Sequence, residues 1–111
     1  MPKKLVVIIG TGESAKAQAG TMYAVNALKH GWMEEVKLFF FGPAQALLLE
    51  DPKLQLLVES YQEEDESAIA CKFVADQEGI AEALDDLNLR VEYVGEQIST
   101  LINSGYVPMV W

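Results

Sequence analysis

The sequence predicts a single α/β domain over residues 1–111, a three-layer fold with an open, mostly parallel five-stranded sheet and helices on both faces. Three observations carry that prediction. Apolar, β-branched or aromatic runs recur at Leu5–Ile9, Val36–Phe41, Ser67–Cys71, Leu89–Tyr93 and Tyr106–Trp111, and the gaps between them hold segments of helical periodicity. Strands that alternate with helices imply right-handed crossovers and therefore parallel pairing. At 111 residues, 50% of them hydrophobic, the chain has the length and composition of one globular domain and can bury roughly 65% of its unfolded surface.

Taken in order, Leu5-Val6-Val7-Ile8-Ile9 has no polar alternation, the pattern of a strand covered on both faces. A loop follows from Gly10 to Lys16, and Ser14 is placed to cap a helix running to about His30, with Ala15, Ala19, Met22 and Leu28 on one face. Lys29-His30-Gly31 supplies basic residues for the last turn and a glycine for a left-handed cap, which gives His30 a structural role. Val36–Phe41 is the second strand. Gly42-Pro43 ends it and opens a short helix with proline in the first turn.

The next helix is capped by Asp51 and started by Pro52, with Leu54, Leu57, Val58 and Tyr61 facing the sheet. The acidic run Glu63-Glu64-Asp65-Glu66 opposes the helix dipole and marks that helix's end; it lacks the ligand spacing and central glycine of an EF-hand. Ser67–Cys71 forms the third strand. A helical pattern from about Phe73 to Leu87 is interrupted at Gly79, with Ile80, Ala83, Leu84 and Leu87 facing inward. Leu89, Val91 and Tyr93 alternate with Arg90 and Glu92 in a fourth strand, and Ile98, Leu101 and Ile102 line a last helix that stops at Ser104-Gly105. Pro108 lacks an N–H, so the final strand belongs at an edge or carries a bulge.

Bulk chemistry narrows the function. A net charge of -9 with only 8 basic residues repels phosphate backbones and anionic lipid, so neither nucleic acid nor membrane is an expected partner. Apolar runs are too short for a signal-peptide core or a spanning helix. One cysteine and one histidine form neither an intrachain disulfide nor a structural zinc site, so no metal is expected and the chain suits the reducing cytoplasm.

In open parallel sheets ligands bind beyond the carboxyl ends of the strands. That rule selects the loop Gly10 to Lys16, the turn Gly42-Pro43, and Cys71 with Lys72. Gly10, Gly12 and Ala15 match Gly-x-Gly-x-x-Ala between strand and helix, yet the acidic residue that should follow the second strand is missing, and Lys16 is out of frame for a P-loop. Backbone N–H groups around Gly10, Gly12, Glu13 and Ser14 remain able to hold a small anion. No Ser-His-Asp arrangement forms around His30. Cys71 is the leading nucleophile candidate, with the helix after Lys72 placed to favour its thiolate; the competing reading is a buried cysteine acting as a small hydrophobe.

The chain resembles the DsrE/DsrF-like proteins, which include the sulfur-relay subunits of the TusD type. The resemblance rests on Lys4-Leu5-Val6-Val7-Ile8-Ile9-Gly10-Thr11-Gly12, on Leu38-Phe39-Phe40-Phe41-Gly42-Pro43, on Ile69-Ala70-Cys71 followed by Gly79-Ile80, and on the closing helix and strand through Gly105-Tyr106-Val107. It implies that Cys71 accepts sulfane sulfur as a persulfide and passes it to an acceptor thiol, without a cofactor. It also implies a trimer or hexamer of one chain or of related chains, together with sulfur-donor and sulfur-acceptor proteins. The expected pocket is lined by Gly10, Gly12, Glu13, Ser14, Gly42 and Lys72. The alternative expectation is a non-catalytic ligand-binding or assembly subunit of the same fold with an inert cysteine.

Overall fold

The computed structural model describes residues 3–64 and 66–111, so Asp65 of the acidic run lies outside the described residues. Among the described residues the elements are β1 (Lys4–Ile9), α1 (Ser14–Lys29), β2 (Glu35–Phe40), α2 (Pro43–Glu50), α3 (Pro52–Gln62), β3 (Ile69–Cys71), α4 (Lys72–Glu78), α5 (Ala81–Asp86), β4 (Arg90–Glu92), α6 (Gly95–Asn103) and β5 (Val107–Val110). The strands form one sheet in the order β4-β3-β2-β1-β5, and every pairing is parallel. No helix of the described residues is long and apolar enough to cross a membrane.

Strand order decides how the two faces are covered. The first three crossovers step in one direction across the sheet, while the connection from β4 returns past β1 to place β5 at the opposite edge. With right-handed crossovers, a reversed step puts its helix on the opposite face. Leu5, Val7, Ile9, Val36, Leu38, Phe40 and Ala70 accordingly pack with α1, α2, α3, α4 and α5 in one large core. The alternate residues Val6, Phe39, Ile69 and Cys71 form a smaller core with Val94, closed by Ile98 and Leu101 of α6.

Local chemistry explains the elements. Asp51 caps α3 by accepting from the N–H groups of Lys53 and Leu54, and Pro52 follows it in the first turn. Tyr61 is wholly buried, and its hydroxyl donates to the Val36 carbonyl at 2.6 Å, tying α3 to β2. Gly79 ends α4 in a left-handed conformation with φ of 69°.

Four expectations are corrected. The cap position of α1 is Glu13; Ser14 is the first helical residue, and its hydroxyl donates to Asp51 instead of capping its own helix. The buried face of α1 is Ala17, Gly20, Thr21, Ala24, Val25 and Ala27, whereas Ala15 and Met22 are exposed. Gly20 permits the shift, because a Cβ there would stand 2.5 Å from the Trp111 ring and 2.8 Å from the Ile9 side chain. Ala83 and Ile102 face solvent, leaving Leu84 as the buried anchor of α5, while α6 packs through the partly buried Ile98 and Leu101. Leu89 is buried, but the strand proper begins at Arg90, and Tyr93 lies beyond its end with 63% of its surface exposed.

Pro108 lies in β5, an edge strand paired only with β1. The Trp111 N–H donates to Ile8 and its carbonyl accepts from Gly10, so residues 107, 109 and 111 turn their backbone groups toward β1 while 108 and 110 turn theirs outward.

Candidate functional site

The helices leaving β3 and β4 depart to opposite faces, α4 with the larger core and α6 with the smaller one. Adjacent strands with diverging connections leave a crevice at their carboxyl ends, the position where ligands bind in sheets of this kind. Cys71 ends β3 at that crevice and pairs in register with Glu92 of β4. Its backbone occupies the cap position of α4 with ψ of 118°, and its carbonyl accepts from the buried Gln45 amide at 3.0 Å.

The thiol itself is packed. Cys71 is 5% exposed and sits among Val6, Phe39, Ile69 and Val94, with Val94 supplied by the loop that enters α6. Thiols buried in apolar surroundings are inert unless opened to reagent. Across the ladder, the Glu92 carboxylate accepts from Arg90 Nε at 2.8 Å, Arg90 Nη2 at 2.9 Å and Gln97 Nε2 at 2.8 Å. The Arg90 contacts, followed by the Gln97 bond, hold Glu92 below the usual carboxylate range. Lys72 points outward, paired with Asp76 at 2.9 Å and lying 5.9 Å above the Tyr93 ring. The Asp76 hydrogen bond raises the lysine above its ordinary value.

The other expected pocket residues separate into two groups. Gly12 and Gly42 line a cavity of about 500 Å³ with Pro43, Leu47 and Val74. Gly10 and Thr11 both donate their N–H groups to the Trp111 carbonyl, at 2.8 and 3.3 Å, so those amides are committed to β5 and do not form a phosphate cradle. Glu13 receives the Ala17 N–H at 3.0 Å on its carbonyl. Ser14 joins Gln18 in donating to Asp51, whose carboxyl is held below its ordinary range first by the Ser14 bond and then by Gln18. The structure thus places Ser14 in a helix-to-helix tie, apart from Cys71 and Lys72.

A larger feature lies away from every motif of the sequence. A groove of about 550 Å³ runs under α6 along β2, β3 and β4, floored by Phe39, Ile69 and Leu101 and walled by Lys37, Arg90, Gln97 and Thr100, with Tyr93 at its carboxyl mouth. It shares the sheet face of Cys71 and extends to the amino ends of β2, β3 and β4, where Lys37, Glu66, Ser67 and Arg90 line it. Its existence depends on the last crossover returning to β5, which no local signal announces; the amphipathic spacing of Ile98 and Leu101 was the accessible hint. Among the described residues, no group of three or more His, Cys, Asp or Glu side chains is arranged to hold a metal ion.

Comparison with known proteins defines the fold. No family model matches the chain, and no curated protein does. Among solved structures it is similar to a conserved protein of unknown function, BT1422, from Bacteroides thetaiotaomicron, with a TM-score of 0.89 and 20% sequence identity, covering 98% of this chain and 95% of that one. At that identity the likeness establishes the α/β architecture alone.

Proposed function

We propose that this chain is a small-ligand-binding subunit of the DsrE/DsrF-like type, with its binding groove under α6 and with Cys71 serving to pack the core. One observation carries the reading: Cys71 is buried in an apolar cluster with Val94, while an open groove on the same sheet face is lined by its cluster neighbours Phe39 and Ile69. The experiment is alkylation of Cys71 in native and denatured protein. Native alkylation is expected to be roughly 100-fold slower or more, as for a thiol reached only through local openings costing about 3 kcal/mol. A native rate equal to the denatured rate defeats this reading.

A second reading is supported by the position of Cys71 at the head of α4 in the crevice between β3 and β4. Here displacement of Val94 admits a sulfane-sulfur donor. The thiolate attacks the donor's outer sulfur, the donor's S–S bond breaks with departure of its leaving thiolate, and Cys71 holds the persulfide until an acceptor thiol attacks its outer sulfur. Mass spectrometry after treatment with polysulfide decides: a gain of one sulfur atom that disappears in Cys71→Ser establishes the carrier. Under either reading the resemblance implies a trimer or hexamer, which sedimentation equilibrium measures.

A further inference from the structure

We infer that the groove under α6 takes an uncharged, largely apolar small molecule bearing a hydrogen-bond donor, an inference that rests on the ligand-binding reading above. Size and floor come first. About 550 Å³ over Phe39, Ile69 and Leu101 is the space and lining typical of a site for a compact organic molecule.

Charge then selects the class. The groove's two cations are already matched: Lys37 lies 3.4 Å from Glu66, and Arg90 forks onto Glu92. An anionic ligand would have to break one of these pairs and do so inside a chain of net charge -9. A cationic ligand fares no better, because Glu66 is held by Lys37, and Glu96 stands exposed in the first turn of α6, where solvent screens it and the helix dipole already favours it. Desolvating a charge without a matched partner costs more than an apolar floor returns.

Hydrogen bonding adds the donor requirement. Gln97 Nε2 donates both to Glu92 and to the Tyr93 carbonyl, so the amide's remaining capacity is its oxygen, an acceptor. The hydroxyls of Ser67 and Thr100 lie on the rim, and the exposed Tyr93 ring offers a stacking surface at the mouth.

The test is fluorescence titration of the full chain with neutral N-phenyl-1-naphthylamine, which carries one N–H donor, and with its anionic analogue 1-anilinonaphthalene-8-sulfonate. The neutral dye is expected to bind saturably with a blue shift, and the anionic dye about tenfold more weakly or worse. Thr100→Trp and Ser67→Trp, both at exposed rim positions, are each expected to weaken the neutral dye about tenfold without lowering the unfolding midpoint. Leu56→Gln, in the separate cavity between α1 and α3, should leave it unchanged. The inference is overturned if the neutral dye does not bind, if the anionic dye binds as tightly, if both tryptophan variants retain wild-type affinity, if Leu56→Gln abolishes binding, or if binding falls as the protein self-associates. Fast native alkylation of Cys71 overturns the inert-cysteine reading while leaving these titrations intact; absent dye binding with slow alkylation does the reverse.

Discussion

On one face of the sheet five helices cover a continuous core in which Leu5, Val7, Val36, Leu38 and Phe40 are all at most 1% exposed. On the other the nine-residue α6 lies across part of the sheet, and the strand positions on that face begin with Lys4, Glu35 and Lys37 before turning apolar. These charges are managed by contact: Glu35 pairs with Lys4 at 3.4 Å and accepts from the Tyr106 hydroxyl at 2.6 Å. The difference follows from topology, since three crossovers run one way and one runs back. It teaches that the two faces differ in kind, one supplying cohesion and the other left partly open as a groove.

Adjacent phenylalanines give the most direct way to break this comparison. Phe40 points into the helix-rich core and Phe39 into the smaller one beside the groove. Phe40→Ala should cost about 4 kcal/mol in urea unfolding, and Phe39→Ala about 1 kcal/mol less, because the groove lets neighbours and solvent relax into the space. Equal losses would show that the faces are equally cohesive.

Cys71 sharpens the picture next. Cys71→Ser places a hydroxyl among Val6, Phe39, Ile69 and Val94 and is expected to destabilise by about 2 kcal/mol, more than Cys71→Ala. A serine variant as stable as the wild type would mean the site is wetter than its packing indicates.

Asp51 tests a polar tie on the helix-rich face. Asp51→Ala removes the α3 cap and the bonds from Ser14 and Gln18, for about 1–2 kcal/mol. Because the folded carboxyl is held below its unfolded value of 3.8, its stabilisation is complete above that value and is lost as pH falls through the lower folded value. Asp51→Asn should therefore flatten the acid limb of the stability profile.

The smallest effect is expected at Tyr106, on the opposite face. Burial, and then the Glu35 hydrogen bond, push its phenol up from 10.0 to about 12, so its neutral form is favoured by folding. That contribution is full below pH 10 and declines as pH rises toward 12. Tyr106→Phe should cost about 0.5–1 kcal/mol at neutral pH and remove this part of the alkaline loss.

Strong local signals made much of the fold legible. Asp51-Pro52 announced α3, Gly42-Pro43 announced α2, and the run Leu5–Ile9 announced a strand covered on both faces. The placement of Cys71 at a strand end was equally readable. Its burial was not, since Val94 reaches it from a distant segment. The face of α1 was misjudged because the residues it buries are small: Ala17, Gly20 and Ala24 bring the helix close to the sheet, a fit set by Trp111 and Ile9 and not by apolar periodicity. The groove stayed hidden because strand order is a property of the assembled sheet.

Pro108 has a consequence for how copies of this chain can meet. Of the two β5 residues that turn their backbone outward, Pro108 has no N–H to offer, which leaves Val110 with the outward donor of that strand. A neighbouring strand added there would find one hydrogen-bond donor where a regular edge provides two. The exposed apolar side chain of Val110 is thereby kept from becoming a template for intermolecular sheet growth. Edge-to-edge pairing at this strand is thereby disfavoured, and Pro108→Val is the substitution that would lift this guard against aggregation.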